Sequence, residues 1–145
     1  MRIYLYYIGK PKDVHANAIA EDFLARASRY CRSAREAGVE MREIRPGRFD
    51  PAEKHASARR IYLDPDGKAL DSSKFAVLIG KAETEGRDLV FLIGAHDGLP
   101  AGWAARADLL LSLSEMTFPH ELARAMLAEQ IYRAFASLRG HPYPR

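Results

Sequence analysis

The chain has 145 residues, of which 48% are hydrophobic and 28% are charged. This composition is typical of a folded globular protein and excludes the disordered and low-complexity classes. The formal net charge of +3 is compatible with a polyanionic partner but does not require one, because basic residues must be clustered to attract such a partner. The length predicts a single domain over residues 1–145, long enough to bury roughly two thirds of the surface of the unfolded chain.

The cysteine content and the hydropathy predict a cytoplasmic protein. Cys31 is the single cysteine, so an internal disulfide is excluded and a reducing compartment is favoured. Its place in a predicted helix favours a small buried hydrophobe over a reactive thiol. The amino terminus has no small-residue cleavage site, and no segment approaches the roughly 18 apolar residues that span a membrane. We therefore expect no membrane association.

The first third of the chain predicts a strand, a helix and a second strand. The apolar run Ile3–Ile8 is typical of a central strand, because both of its faces can be covered. Residues 13–37 carry apolar side chains at helical spacing, and we expect Gly38 to end that helix. Val39–Ile44 alternates apolar and charged residues, which favours a strand near a sheet edge.

A polar gap follows at residues 45–59. It contains two prolines and the basic residues Arg45, Arg48, Lys54 and Arg59. The composition favours a mobile, solvated crossover, and a loop that contacts RNA is the alternative.

The rest of the chain repeats the alternation of strand and helix. A short strand at residues 60–63 is expected to stop at the turn-forming residues 64–67. Asp71 and Gly86 are placed to begin and end the next helix. The apolar segments Leu89–Ile93 and 109–113 predict buried strands, with a brief helix at residues 100–107 between them, and Pro119 opens a long final helix. This alternation predicts an α/β fold, a parallel sheet with helices on both faces.

The common catalytic signatures are absent from the sequence. Residues 94–98 form neither a P-loop nor a G-x-G-x-x-G motif, and no G-x-S-x-G elbow surrounds Ser112 or Ser114. The five histidines show no paired spacing of metal ligands. Nucleotide hydrolysis, serine hydrolysis and zinc chemistry are therefore disfavoured, and we predict no metal.

Three loops remain as candidates for a binding site, at residues 63–65, 94–98 and 113–118. Each follows a predicted strand, so the three loops line one crevice if their strands are neighbours. Glycine allows close approach of the backbone, and such a crevice suits a flat heterocycle. The residues alone leave ordinary connecting loops as an equal alternative.

Short motifs then identify a family resemblance over nearly the whole chain. They are Phe91-Leu92-Ile93-Gly94, Gly98-Leu99, Leu113-Ser114, Met116-Thr117-Phe118-Pro119-His120, Ala128-Glu129-Gln130, Tyr132-Arg133-Ala134 and His141-Pro142-Tyr143. Together they resemble the RlmH family of SPOUT-superfamily methyltransferases. The resemblance implies a SPOUT-type sheet with a deep carboxyl-terminal trefoil knot, although knots are otherwise almost absent from proteins. It also implies a homodimer whose partner is ribosomal RNA or the ribosome.

The same resemblance implies an activity and its residues. The implied reaction is methylation of N3 of a pseudouridine in 23S ribosomal RNA with S-adenosyl-L-methionine. Cofactor contacts are implied at Leu63, Gly94, Leu113, Ser114, Glu115, Met116, Thr117 and Phe118. Core packing is the alternative role for Leu113, Met116 and Phe118.

Removal of the N3 proton calls for a general base or for a cation that stabilises the anionic acceptor. The resemblance implies five candidates, with the tail arriving from the other subunit: Arg124, Arg133, His141, Tyr143 and Arg145. A helix-surface ion pair, such as Glu129 with Arg133, is the alternative role for the two helical arginines.

Two departures from the resemblance define the first of two alternative functions. Ala95 stands where the family usually has a second glycine, and Pro144 stands where it commonly has a histidine. If the second position required a positive φ, alanine there would be strained. One alternative is therefore a SPOUT-fold dimer that binds RNA or cofactor with weak or no catalysis. The other is a flavodoxin-like domain that binds a small ligand.

Overall fold

The computed structural model of the protein describes residues 1–30 and 38–143. Cys31, residues 32–37 of the predicted first helix, Pro144 and Arg145 lie outside the described residues. Within the described residues, five parallel strands form one sheet: β1 (Ile3–Ile8), β2 (Val39–Ile44), β3 (Arg59–Ala69), β4 (Leu89–Ile93) and β5 (Leu109–Ser112). The helices are α1 (Val14–Ser28), α2 (Pro51–Lys54), α3 (Ser72–Glu85) and α4 (His120–Leu138), with a short 3₁₀ helix at Ala104–Arg106.

The strands are ordered β2-β1-β4-β3-β5 across the sheet. All five residues of β4 are buried, as its wholly apolar sequence predicts for a central strand. β2 lies at one edge, also as predicted. The order places the carboxyl ends of β4, β3 and β5 side by side, and this arrangement builds the candidate site.

The two faces of the sheet are covered differently. Leu5, Phe91 and Ile61 face the main core, which α1, α3 and α4 cover. The opposite face is covered by short elements and loops that include Ala58 and Trp103. The predicted parallel α/β sheet is therefore confirmed. The expectation of helices on both faces needs correction, because the three long helices within the described residues share one face.

The crossover from β2 to β3 is exposed along much of its length, as predicted, and contacts the rest of the protein at a few points. Asp50 accepts a hydrogen bond from the N–H of Ala52 at 2.9 Å and forms an ion pair with Arg106. The His55 ring lies 4.2 Å from the Tyr4 ring between centroids, and its Nε2 is 2.7 Å from the Tyr6 hydroxyl. The contacts with Arg106, Tyr4 and Tyr6 join the crossover to distant parts of the chain and have no local signature in the sequence. Its mobility stays a prediction.

Three predicted boundaries need correction. The first helix ends at Ser28, with Arg29 as its cap, well before Gly38. The brief helix expected at residues 100–107 is reduced to the 3₁₀ turn Ala104–Arg106. β3 does not stop at residue 63, because pairing with β5 resumes after the turn: both Leu63 and Lys68 pair with Leu111. By contrast, Asp71 caps α3 and Gly86 ends it in the left-handed conformation, as predicted.

Candidate functional site

A cavity of about 550 Å³ lies at the carboxyl ends of β3, β4 and β5. Its size falls in the range of small-molecule sites, which are mainly apolar with a few polar groups. Seven of the eight predicted cofactor residues line it: Leu63, Gly94, Leu113, Ser114, Met116, Thr117 and Phe118. Glu115 is exposed and does not line the cavity. The topology thus brings together two distant loops and the 113–118 segment.

The first wall of this cavity, which we call the carboxyl-edge pocket, is the bulge in β3. The Asp64 carboxylate accepts a hydrogen bond from the N–H of Asp66 at 2.8 Å, so the chain turns locally as the sequence predicts. It then folds against β5, where a Cβ at Gly67 would lie 2.6 Å from the carbonyl oxygen of Leu110. Only glycine allows that approach, and the contact sets Leu63 and Pro65 into the rim.

The second wall is the tight loop after β4. The N–H of Gly98 donates to the carbonyl of Ala95 at 2.8 Å, and Gly98 has a φ of 93°. A Cβ at Gly94 would lie 2.5 Å from the carbonyl oxygen of Gly98, so this position also requires glycine. No non-glycine residue within 1–30 and 38–143 has a positive φ. Ala95 therefore has no strained backbone conformation, although it stands where the family usually has a second glycine.

The third wall is the segment between β5 and α4. The Ser112 hydroxyl donates to the carbonyl of Ser114 at 2.9 Å, and the Ser114 hydroxyl accepts from the N–H of Met116 at 3.0 Å. Pro119, with a φ of −53° and a ψ of 140°, then starts α4 at His120. These bonds hold the segment in a non-helical path along the pocket, as expected before a proline.

The side chains that line the pocket are suited to bind S-adenosyl-L-methionine. Apolar side chains form most of its walls, and polar groups lie on its rim at Asp64, His96, Thr117 and His120. An apolar slot accepts the flat adenine, and rim groups can bind ribose hydroxyls and the amino-acid end. The pocket is thus suited to this cofactor in both size and chemistry.

A second cavity of about 560 Å³ is an apolar groove between α1, α3 and α4. Ile19, Leu122 and Met126 line it and are 46%, 42% and 37% exposed. Leu111 and Leu113 line both cavities. We call this cavity the helix groove; it abuts the carboxyl-edge pocket at the end of β5.

Of the predicted catalytic residues, the four that the structure describes, Arg124, Arg133, His141 and Tyr143, do not line the carboxyl-edge pocket. Glu129 binds two of them: its Oε1 accepts from Arg133 Nε at 2.9 Å and from the Tyr143 hydroxyl at 3.1 Å. The ion pair considered as the alternative role of Arg133 is therefore present. His141 lies nearby and accepts the N–H of Tyr143 on Nδ1 at 3.3 Å. Arg145 lies outside the described residues.

Burial and Glu129 together change the acidity of Tyr143. Desolvation is the larger influence, and the neighbouring Glu129 carboxylate adds to it, so the pKa of Tyr143 is raised. The phenol is thus held protonated as a donor to Glu129. Because Glu129 also lines the helix groove, the tail is anchored beside that groove.

Arg124 forms an ion pair with Glu121 one turn earlier on α4, as its alternative role predicts, but the arginine is buried rather than on the helix surface. Its side chain is 1% exposed, and its guanidinium carbon lies 3.7 Å from the centroid of the Tyr7 ring. Its Nη2 is 3.7 Å from Glu121 Oε1, and Nη1 is 3.9 Å from Met41 Sδ. The amphipathic pattern of α4 could not indicate this burial, because the partners come from β1 and β2.

Glu121 is a structural link that the sequence did not reveal. Its Oε1 accepts the N–H groups of Lys12 at 2.7 Å and of Asp13 at 3.0 Å. These bonds, led by that of Asp13, lower the pKa of Glu121. An acidic residue in a first helical turn is common, so nothing in the sequence signals this contact over more than 100 residues. It joins the loop after β1 to the helix whose first residue, His120, lines the carboxyl-edge pocket.

Within residues 1–30 and 38–143, no group of three or more His, Cys, Asp or Glu side chains is arranged to hold a metal ion. Over the same residues, none of the helices has the length and apolar character needed to cross a membrane.

Comparison with known proteins identifies the class to which this fold and site belong. The family model described as "Predicted SPOUT methyltransferase" matches residues 1–144. Among solved structures, a probable methylase family protein from Haemophilus influenzae superposes with a TM-score of 0.56 at 11% identity, covering 99% of this chain and 70% of that one. A probable methyltransferase from Bordetella pertussis gives 0.56 at 12% identity, covering 92% and 93%. At these identities the superpositions show a shared fold.

Curated sequences narrow the class further. A protein named ribosomal RNA large subunit methyltransferase H, from Solibacter usitatus, is 70% identical over the full length of both chains. The protein of that name from Sorangium cellulosum is 40% identical over 99% of both chains. The chain therefore belongs to the RlmH family of SPOUT methyltransferases, and the flavodoxin-like alternative is not supported.

Proposed function

We propose that this protein transfers a methyl group from S-adenosyl-L-methionine to ribosomal RNA, and that the acceptor is N3 of a pseudouridine in 23S ribosomal RNA. The observation that carries the proposal is the carboxyl-edge pocket, built from the family's own motifs in a chain of that family. The relatives' name supports large-subunit ribosomal RNA as the substrate. The choice of N3 rests on the family resemblance.

The cofactor is proposed to bind in the carboxyl-edge pocket, against Leu63, Gly94 and the segment that contains Leu113, Ser114, Met116, Thr117 and Phe118. Glu115, next to this wall, is proposed to contact the polar end of the cofactor. When bound, S-adenosyl-L-methionine supplies a methyl group that its sulfonium has already activated. The protein's task is then to hold N3 in line at near-attack distance, and such positioning can supply several kcal/mol of the barrier.

The protein is proposed to act as a homodimer in which a second copy of the chain occupies the helix groove. Support comes from the exposed apolar side chains that line the groove, since such patches mark interaction sites. The groove and the carboxyl-edge pocket share Leu111 and Leu113. A second copy docked there would bring its tail towards the pocket.

The candidate catalytic groups are Arg133, His141, Tyr143 and Arg145. A basic group of the tail would take the N3 proton, and an arginine would stabilise the negative charge that develops on the acceptor base. Arg124, being buried against Tyr7, is proposed to act through Glu121 as a positioning residue. The bond of Tyr143 to Glu129 would hold the tail in place until substrate binds.

A deep trefoil knot is proposed for the carboxyl-terminal part. β5 lies outside β3 at the sheet edge, while α4 packs between α1 and α3 on one face. The 112–119 segment would then cross the connection from β3 to α3, and this is supported by the helix groove, which residues of both line. Passage of the segment beneath this connection would thread the chain. An experimental structure traced through residues 64–72 and 112–120 tests this path.

Residues 1–145 are proposed to form one domain, because the family model spans residues 1–144. A cytoplasmic location follows from a ribosomal RNA substrate. The deciding experiment is transfer of radiolabelled methyl groups from S-adenosyl-L-methionine to ribosomes that lack the N3 methyl group. We expect incorporation by the wild type, placed at N3 by mass spectrometry of the nucleosides.

Matched variants test the role of the tail. Arg133→Ala, or truncation after Gly140, is expected to lower the methylation rate by about 100-fold, the lower range for loss of an acid–base or electrostatic group. Arg29→Ala, at an exposed position beyond α1, is the control and should retain full activity. Full activity of both tail variants would refute the placement of the catalytic groups. Cofactor binding without methyl transfer by the wild type would favour the non-catalytic alternative.

A further inference from the structure

Two basic loops leave the sheet beside the carboxyl-edge pocket. β1 and β2 pair in parallel up to Ile8 and Ile44, so the loops that follow them emerge side by side. β1 also pairs with β4, whose last residue, Ile93, lines the pocket. At a strand spacing of about 4.8 Å, the two loops begin roughly 5 and 10 Å from the end of β4. Both therefore lie on the same edge of the sheet as the site.

These loops carry four exposed cations: Lys10, Lys12, Arg45 and Arg48. Within residues 1–30 and 38–143, none of their side chains takes part in an ion pair. Two carboxylates close to these loops are engaged elsewhere, since Asp13 caps α1 and Asp50 binds Arg106 and caps α2. We call the four cations the basic rim. Their charges are free to act on a ligand in solvent.

The basic rim is fixed relative to the pocket. The Glu121 carboxylate binds the backbone N–H groups of Lys12 and Asp13, and Glu121 follows His120, which lines the pocket. This charge-assisted contact ties the first basic loop to the pocket wall. On the far side of the pocket, around the ends of β3 and β5, Asp66 and Glu115 are exposed, as is Lys68, and Asp64 lines the pocket. The carboxyl edge is therefore positive on the β1–β2 side and largely negative on the β3–β5 side.

We propose that the basic rim binds the phosphate backbone of the RNA that flanks the acceptor nucleotide. The inference rests on the proposed function, and it assigns the direction from which the RNA enters. Lysine and arginine supply the salt-dependent part of RNA affinity by releasing counterions from phosphates. The acidic side would repel the same backbone. The strand thus crosses the β1–β2 ends and delivers its base to the carboxyl-edge pocket.

The test compares two variants that each lose four positive charges. The rim variant carries Gln at Lys10, Lys12, Arg45 and Arg48. The control carries Gln at four exposed positions away from the carboxyl edge: Arg29, Lys54, Lys81 and Arg87. Filter binding to 23S ribosomal RNA is measured over a range of salt concentrations. Calorimetry with S-adenosyl-L-methionine shows whether each variant keeps its fold and its cofactor site.

We expect the rim variant to bind 23S ribosomal RNA at least about tenfold more weakly than wild type, with the salt slope reduced by roughly 3 for four lost phosphate contacts. The control should change the slope by less than about 1. Equal losses in both variants, or a wild-type slope in the rim variant, would overturn the proposal. The outcome is separable from the proposed function, because absence of methyl transfer by the wild type would leave the binding comparison intact.

Discussion

Replacing Gly94 with alanine should damage the carboxyl-edge pocket through one steric contact. The new Cβ would lie 2.5 Å from the carbonyl oxygen of Gly98, 2.6 Å from its carbonyl carbon and 3.0 Å from the nitrogen of Leu99. Ordinary van der Waals contact begins at 3.4 Å, so the loop must move by close to one ångström. Because all three atoms belong to the backbone, no side-chain rotation can relieve the overlap.

The expected size of the effect follows from that displacement. Overpacking of a buried position typically costs about 1–3 kcal/mol of unfolding free energy. A displacement of about 1 Å in a positioning element can lower a rate by about 100-fold. We therefore expect Gly94→Ala to lose about 1–3 kcal/mol in urea unfolding, and to bind S-adenosyl-L-methionine at least about tenfold more weakly by calorimetry.

Gly47→Ala is the matched control for this prediction. A Cβ at Gly47 meets no atom within 4 Å, and its φ is not positive. Its unfolding free energy should stay within about 0.5 kcal/mol of wild type, with unchanged cofactor affinity. Wild-type stability and cofactor binding in Gly94→Ala would show that the loop after β4 does not form a wall of the cofactor site.

Three further substitutions test the dimer, the anchoring of the tail, and the contact of Glu121 with the loop after β1. Leu122→Glu, in the helix groove, should yield a monomer in sedimentation measurements, whereas Val77→Glu, at a residue 68% exposed outside the groove, should not; a dimeric Leu122→Glu protein would refute the interface. Glu129→Gln removes a charge that raises the pKa of Tyr143, so a tyrosinate difference titration should show a lower pKa, and an unchanged titration would contradict the contact. The pKa of Glu121 is lower in the folded protein than in the unfolded chain. The Glu121 carboxylate therefore stabilises the fold at any pH above its pKa in the unfolded chain, and this stabilisation is lost as the pH falls through its pKa in the folded protein. From about pH 6 to about pH 3, wild type should therefore lose more unfolding free energy than Glu121→Gln; equal losses would exclude this linkage.

Local sequence determined much of this fold. The apolar run of β4 predicted a central strand, and the caps at Asp71 and Gly86 predicted the limits of α3. These features depend on contacts within a few residues, which a sequence pattern records directly. The three loops that build the pocket could also be predicted, because each one follows a strand that the local sequence indicates.

Only the tertiary structure decided how distant segments meet. The return of β3 to pair with β5, the packing of His55 on Tyr4 and the burial of Arg124 all depend on partners far along the chain. Residues 64–67 form the predicted turn, but pairing at Leu111 decides that the strand continues beyond it. The sequence thus determined the parallel α/β sheet, the residues that cap α3 and the motifs that line the pocket. The fold decided which loops share an edge, because side-chain and strand contacts over long separations leave no periodic signal.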